Sequence, residues 1–150
     1  MENEFTKAQE LFLKGYNCAQ SVFASNATRF GMDEETALKV SMGLGGGVGR
    51  LREVCGAFSA CAMLVGLMES STAADKKRKE AVYVFVQKLA EEFRAENGSI
   101  ICRDILKLQE NDKLLPKPDE RDSHYYATRP CLRVVGIADK IINRVFPINE

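Results

Sequence analysis

The chain has 150 residues, 21 basic and 21 acidic side chains and a pI near 6.6, which suits a single domain, residues 1–150, able to bury roughly two-thirds of its unfolded surface. Balanced charge leaves no electrostatic footprint for nucleic acid or an anionic membrane, and neither is expected as a partner. The longest apolar run, Val54 to Met68, has 15 residues, short of the ~20 that cross a bilayer, so no membrane insertion is expected.

The first residues, Met1-Glu2-Asn3-Glu4-Phe5-Thr6-Lys7, lack a basic region followed by an apolar one, so no secretory signal is expected. Together with five cysteines, this points to a reducing, cytoplasmic compartment, where lasting structural disulfides are rare. The thiols then call for another explanation.

In chain order, Phe5, Ala8, Leu11 and Phe12 recur at helical spacing up to Gly15. Asn17 can cap a second helix with Ala19, Val22, Phe23, Asn26 and Phe30 inward, stopped by Gly31. Asp33 can cap a third, with Glu34 and Glu35 in its first turn and Ala37, Val40 and Leu44 inward. Residues 54–69 then predict a central helix that is apolar on nearly every face. After the break at Ser70-Ser71-Thr72, a long helix is predicted from about Ala74 to Glu96, with Val82, Phe85, Val86, Leu89 and Phe93 on one stripe and Asn97-Gly98 as its stop. A short helix carrying Cys102, Ile105 and Leu106 follows, with Ser99 as a candidate cap. Residues 109–128 form a long polar loop with Pro116 and Pro118. Pro130 suits the start of a last helix carrying Val134, Ile137, Ala138, Ile141 and Val145, with Pro147 beyond its end. No strand or repeat emerges. The pattern predicts an all-α, compact bundle of six or seven helices.

Between the third and fourth helices lies Gly43-Leu44-Gly45-Gly46-Gly47-Val48-Gly49-Arg50, with five glycines in its first seven residues. Such a run excludes stable helix and lets N–H groups turn toward one point. It lacks the Lys-Ser/Thr of a phosphate-binding loop, because Arg50-Leu51 stands there. Gly45, Gly46, Gly47 and Arg50 are therefore read as an anion- or substrate-binding segment, and Arg50 and Arg52 as candidates to stabilise a thiolate or acidic substrate. The plainer alternative for both arginines is solvation beside a loop. His124, the sole histidine, falls in the polar loop and is expected to be exposed. Lys76-Lys77-Arg78-Lys79 reads as a solvated helix face.

Cys18, Cys55, Cys102 and Cys131 each fall at the predicted start of a different helix, where unpaired N–H groups and the dipole lower a thiol pKa. Cys55 combines that position with the glycine run and the arginines, and is expected to be the most acidic. Cys61 lies within the central helix, about 240° around it from Cys55, and is expected to face elsewhere. The bland alternative treats each cysteine as a small buried hydrophobe. No C-x-x-C occurs, so a shared site must be assembled by the fold.

Gly15-Tyr16-Asn17-Cys18-Ala19-Gln20, the glycine run, Cys55-Gly56-Ala57, Cys102-Arg103-Asp104 with Leu106, and Cys131 resemble, in that order, the redox-active proteins named for a C…GCAxxG…C…C pattern. The resemblance spans nearly the whole chain. It implies that Cys18, Cys55, Cys102 and Cys131 carry the chemistry, as catalytic thiols or as ligands if a metal or cluster is bound. A related domain is associated with an iron–sulfur cluster, which makes a cluster the leading cofactor candidate and zinc a weaker one. The chain departs from the pattern at Ala60, where the family has glycine, and adds Cys61 beside it.

Four thiolates in an apolar site would repel and reprotonate, so a converged set must bind metal, form disulfides or keep most of its thiols neutral. The leading reading is reversible thiol–disulfide chemistry or electron transfer through a Cys-ligated cluster, that is, a thiol oxidoreductase or electron-transfer protein. Its expected partner is a redox protein or a small thiol or electron donor, and a homo-oligomer is compatible with it. The alternative is a zinc-stapled or metal-free helical adaptor with structural cysteines. The loop 109–128, joining Cys102 to Cys131, suits a lid with Tyr125 and Tyr126 packed down, against the equal alternative of a surface excursion.

Overall fold

The computed structural model describes residues 4–69, 72–109 and 112–145. It is all-α, with α1 (Lys7–Leu13), α2 (Cys18–Ala27), α3 (Glu34–Ser41), α4 (Gly56–Leu67), α5 (Lys76–Asn97), α6 (Cys102–Ile105), α7 (Ser123–Thr128) and α8 (Cys131–Val145). None of the helices described is long and apolar enough to cross a membrane.

Local chemistry sets the helix starts. Thr6 and Asn17 each accept a hydrogen bond from a backbone N–H three residues on, Gln9 and Gln20, whose side chains bond back to the cap N–H. Asp33 caps α3 through the N–H of Thr36, and the left-handed Gly31 and Gly98 stop the helices before them.

Helix α2 packs against α1, α3, α4 and α8, and α4 also meets α5 and α8. Phe12, Val22, Leu64, Leu89, Phe93, Val135, Ile141 and Ile142 are buried where these helices meet. Each such side chain contributes about 1.5–3 kcal/mol by leaving water. Phe58 of α4 meets Phe93 of α5 edge to face at 5.6 Å, fixing one helix against the other. Ala60 is fully buried in this core.

Four expectations change. The central helix begins at Gly56, not at residue 54, because Val54 pairs with Ile101 in an isolated bridge. Val40 is 53% exposed; α3 ends at Ser41, whose hydroxyl bonds Ala37 O at 2.7 Å, and a 3₁₀ turn over Met42–Leu44 then redirects the chain. The segment read as loop contains α7, capped by Asp122. Ser99 is not the α6 cap, which is Ile101, but its hydroxyl accepts from Ile101 N and donates to Asp104. The break at Ser70-Ser71 and the position of Pro147 lie outside the described residues.

Candidate functional site

The glycine run forms a left-handed coil. Gly46, Gly47, Val48, Gly49, Arg50 and Arg52 all have φ between 57° and 73°, a region that costs a non-glycine residue about 1–2 kcal/mol. Val48, Arg50 and Arg52 adopt it because the loop closes wide rings, with Gly49 N on Gly43 O at 2.8 Å, Arg52 N on Gly46 O at 3.1 Å and Glu53 N on Gly47 O at 2.9 Å. The chain then crosses residues 100–102: Cys55 N donates to Ile100 O at 2.8 Å and Cys102 N to Glu53 O at 2.6 Å. This short antiparallel crossing puts Cys55 opposite Ile100 and Cys102 opposite Glu53, and so brings both cysteines to one part of the fold.

Cys18, Cys102 and Cys131 are the first residues of α2, α6 and α8, and Cys55 is the N-cap of α4. All four line one cavity of about 440 Å³. Cys61 does not; it is buried in the core beside Ala138 O, 3.7 Å from its sulfur. Gly45, Gly46 and Arg50 also line the cavity. Gly47 stands behind it, where an added Cβ would lie 2.6 Å from Cys102 Cβ.

The four thiols are chemically unequal. Cys18 Sγ accepts the S–H of Cys55 and the backbone N–H groups of Gly46, Ala19 and Ala57, and although burial opposes the charge, its pKa falls to about 6. Several charge-assisted bonds at about 1.5–3 kcal/mol each outweigh the partial desolvation of one sulfur. Cys55 is raised well above the usual thiol value, first because its proton is committed to Cys18, then by burial and by the neighbouring negative charge. Burial raises Cys102, against the Arg52 guanidinium 3.6 Å from its sulfur. Burial also raises Cys131, to about 11, with Tyr125 O–H donating to its sulfur. The shifts thus favour the anion at Cys18 and the neutral thiol at Cys55, Cys102 and Cys131.

The expectation put the most acidic thiol at Cys55; in the structure hydrogen bonding favours the anion on Cys18, with Cys55 as its donor. Position at a helix start is shared by all four; what differs is that N–H groups from the glycine coil, α2 and α4 point at one sulfur, and Cys55 serves that sulfur as a donor. Replacing Cys55 by alanine removes the leading donor, so the Cys18 pKa should rise. A titration of thiolate absorbance should show its step near pH 6 in the parent and at higher pH in the variant; an unmoved step would refute the Cys55 contact.

Among the described residues, no three Cys, His, Asp or Glu side chains are grouped so that they could hold a metal ion. As placed, the four cavity sulfurs are not drawn together as a ligand set, and in that arrangement they do not fit an iron–sulfur cluster or zinc.

The segment before α7 covers the cavity with Pro116, Pro118, Asp119 and Arg121. Arg121 donates to Phe12 O and, at 2.9 Å, to Tyr16 O, with its guanidinium 3.9 Å above the Phe12 ring. Tyr126 meets Phe12 edge to face. His124 is exposed. Sequence reasoning missed Tyr125 as the partner of Cys131, and Arg121, Asp119 and Arg129 as elements of the site. The only sequence signal for them was their place on the connection between two cysteines.

An all-α domain that gathers four helix-start cysteines on one cavity is a cysteine-centred helical protein. The chain belongs to the C_GCAxxG_C_C family: the model described as "Putative redox-active protein (C_GCAxxG_C_C)" matches residues 16–145. No curated protein and no solved structure matches it.

Proposed function

We propose that the protein carries out reversible thiol–disulfide exchange through Cys18 and Cys55, with Cys18 as nucleophile and Cys55 as resolving thiol. The observation that supports this is that Cys18 and Cys55 line one cavity with Cys18 Sγ against the first turn of α4, where an added Cβ at Gly56 would lie 2.8 Å from it; hydrogen bonding from Cys55 then favours the anion on Cys18. The Cys18 thiolate attacks one sulfur of a small disulfide, and the substrate S–S bond breaks to release one thiolate. Cys55 then attacks Cys18 Sγ in the mixed disulfide, and its proton leaves on the second substrate sulfur. Two electrons pass to the substrate, and the Cys18–Cys55 disulfide remains. The reverse sequence restores the dithiol.

Cys102, buried, and Cys131, half-buried, both have raised thiol pKa values and react later in this scheme. Oxidation of the reduced protein with one equivalent of diamide, followed by peptide mass mapping, should find a Cys18–Cys55 disulfide, two hydrogens lighter and reversed by dithiothreitol. A first disulfide that joins Cys102 to Cys131, or no disulfide at all, would sink the assignment. Iron or zinc retained in stoichiometric amount by purified protein would favour a ligand role for the cysteines instead.

A further inference from the structure

We propose that Arg50 and Arg129 form a carboxylate subsite in the cavity that Cys18 lines, occupied at rest by Asp119, so that the substrates of the cavity are small anions with an apolar arm. The inference rests on the Cys18 chemistry above for the reaction, but its geometry is separate. Arg50, from the glycine coil, and Arg129, from the α7–α8 junction, both donate to Asp119 Oδ2, at 3.3 and 2.8 Å. Their side chains are 19% and 28% exposed. Two guanidiniums on one carboxylate leave a net positive charge on residues that line the cavity, with more N–H groups than that carboxylate oxygen uses.

The other cavity arginines are committed, Arg52 to Cys102 and Arg121 to the carbonyls of Phe12 and Tyr16. Met42, Ile105, Leu106, Pro116, Pro118 and Val134 supply apolar wall. Asp119 itself lies on a segment without helix, between exposed neighbours, so the carboxylate it places on the arginines can be exchanged for one from solution. A 440 Å³ cavity admits a small ligand. An anion would otherwise be repelled by the Cys18 thiolate, and the arginine pair offsets that repulsion.

Iodoacetate and iodoacetamide are nearly equal in size and differ in charge, and both alkylate a thiolate with loss of iodide. Their rates at Cys18, measured at pH 7.5 by peptide mass mapping and divided by their rates with N-acetylcysteine, report the subsite without requiring any disulfide. The corrected ratio in the parent protein should favour iodoacetate by about fivefold or more, within the range expected of local charge. The variant Asp119→Asn should raise it further by several-fold, and Arg50→Gln with Arg129→Gln should bring it to unity. Unit ratio in the parent, or no change in Asp119→Asn, would overturn the subsite even if the double arginine variant fails to fold. A Cys18–Cys55 disulfide with unit ratio would retain the exchange reaction and discard the subsite; a raised ratio without that disulfide would do the reverse.

Discussion

Replacement of Cys18 by serine should lower alkylation of the cavity at pH 7 by more than about a hundredfold, the largest chemical effect expected of any single change here. The thiolate is the reacting species. A thiol at about 6 is mostly ionised at pH 7, whereas Cys131 at about 11 is ionised to roughly one part in ten thousand. The sign of the pH dependence follows from the depressed value: reactivity is present above about pH 6 and disappears as the pH falls through it. Cys102 and Cys131 are raised first by burial, which the substitution leaves in place, and Cys55 loses the contribution of Cys18 but keeps that of burial, so none of them takes over near neutrality. Mass-spectrometric mapping of limited labelling checks this directly. First labelling at Cys55 in the parent, or an unchanged total rate in the serine variant, would show that the anion sits elsewhere.

The largest loss of stability should come from the glycines that back the thiols. At Gly47, φ is +73° and an added Cβ would lie 2.6 Å from Cys102 Cβ, 2.7 Å from Glu53 N and 2.8 Å from Arg52 Cα. Two of those three atoms are backbone and cannot swing aside. Left-handed strain of about 1–2 kcal/mol and overpacking of about 1–3 kcal/mol then act together in Gly47→Ala, against a total stability of about 5–15 kcal/mol. Gly49 is left-handed too, but nothing lies within 4 Å of its added Cβ, so Gly49→Ala should show only the strain. Urea unfolding of the pair separates the two contributions. Equal losses would mean that the Gly47 contact is readily relieved and that the coil does not hold Cys102 in place.

Much of this architecture could be read from the residues because it is locally determined. Asn17 and Asp33 are capping side chains followed by helical runs, Gly31 and Gly98 sit where a left-handed stop is needed, and the apolar stretch within 54–69 has no solvent face to offer. Placing four cysteines at helix starts needed only those boundaries. The identity of the anionic sulfur was not local. Gly46, Ala19 and Ala57 are far apart in the chain, and their N–H groups meet at Cys18 only after α2, α4 and the glycine coil have packed.

Helix α7 was missed for a different reason: its six residues offer Tyr125 and Tyr126 as apolar contacts, too few to display a period. Val40 misled because Ser41, a polar residue, takes the buried position and satisfies its hydroxyl on Ala37 O. Arg52 was singled out as a possible thiolate partner, but its pairing with Cys102 depends on the crossing of residues 53–55 with 100–102, which no sequence period records.

The nest of donors around Cys18 also bears on which way electrons run. Three N–H groups and one S–H favour a negatively charged sulfur, and a sulfur bonded into a disulfide carries no such charge to offer them. Every increment of free energy that holds the anion is therefore free energy by which the dithiol is preferred over the disulfide, and it shifts the reduction potential of the Cys18–Cys55 pair upward. Such a pair is readily reduced and reluctantly oxidised. In the proposed exchange, such a disulfide would run the reverse of the sequence given above more readily, taking electrons from thiols that reach the cavity.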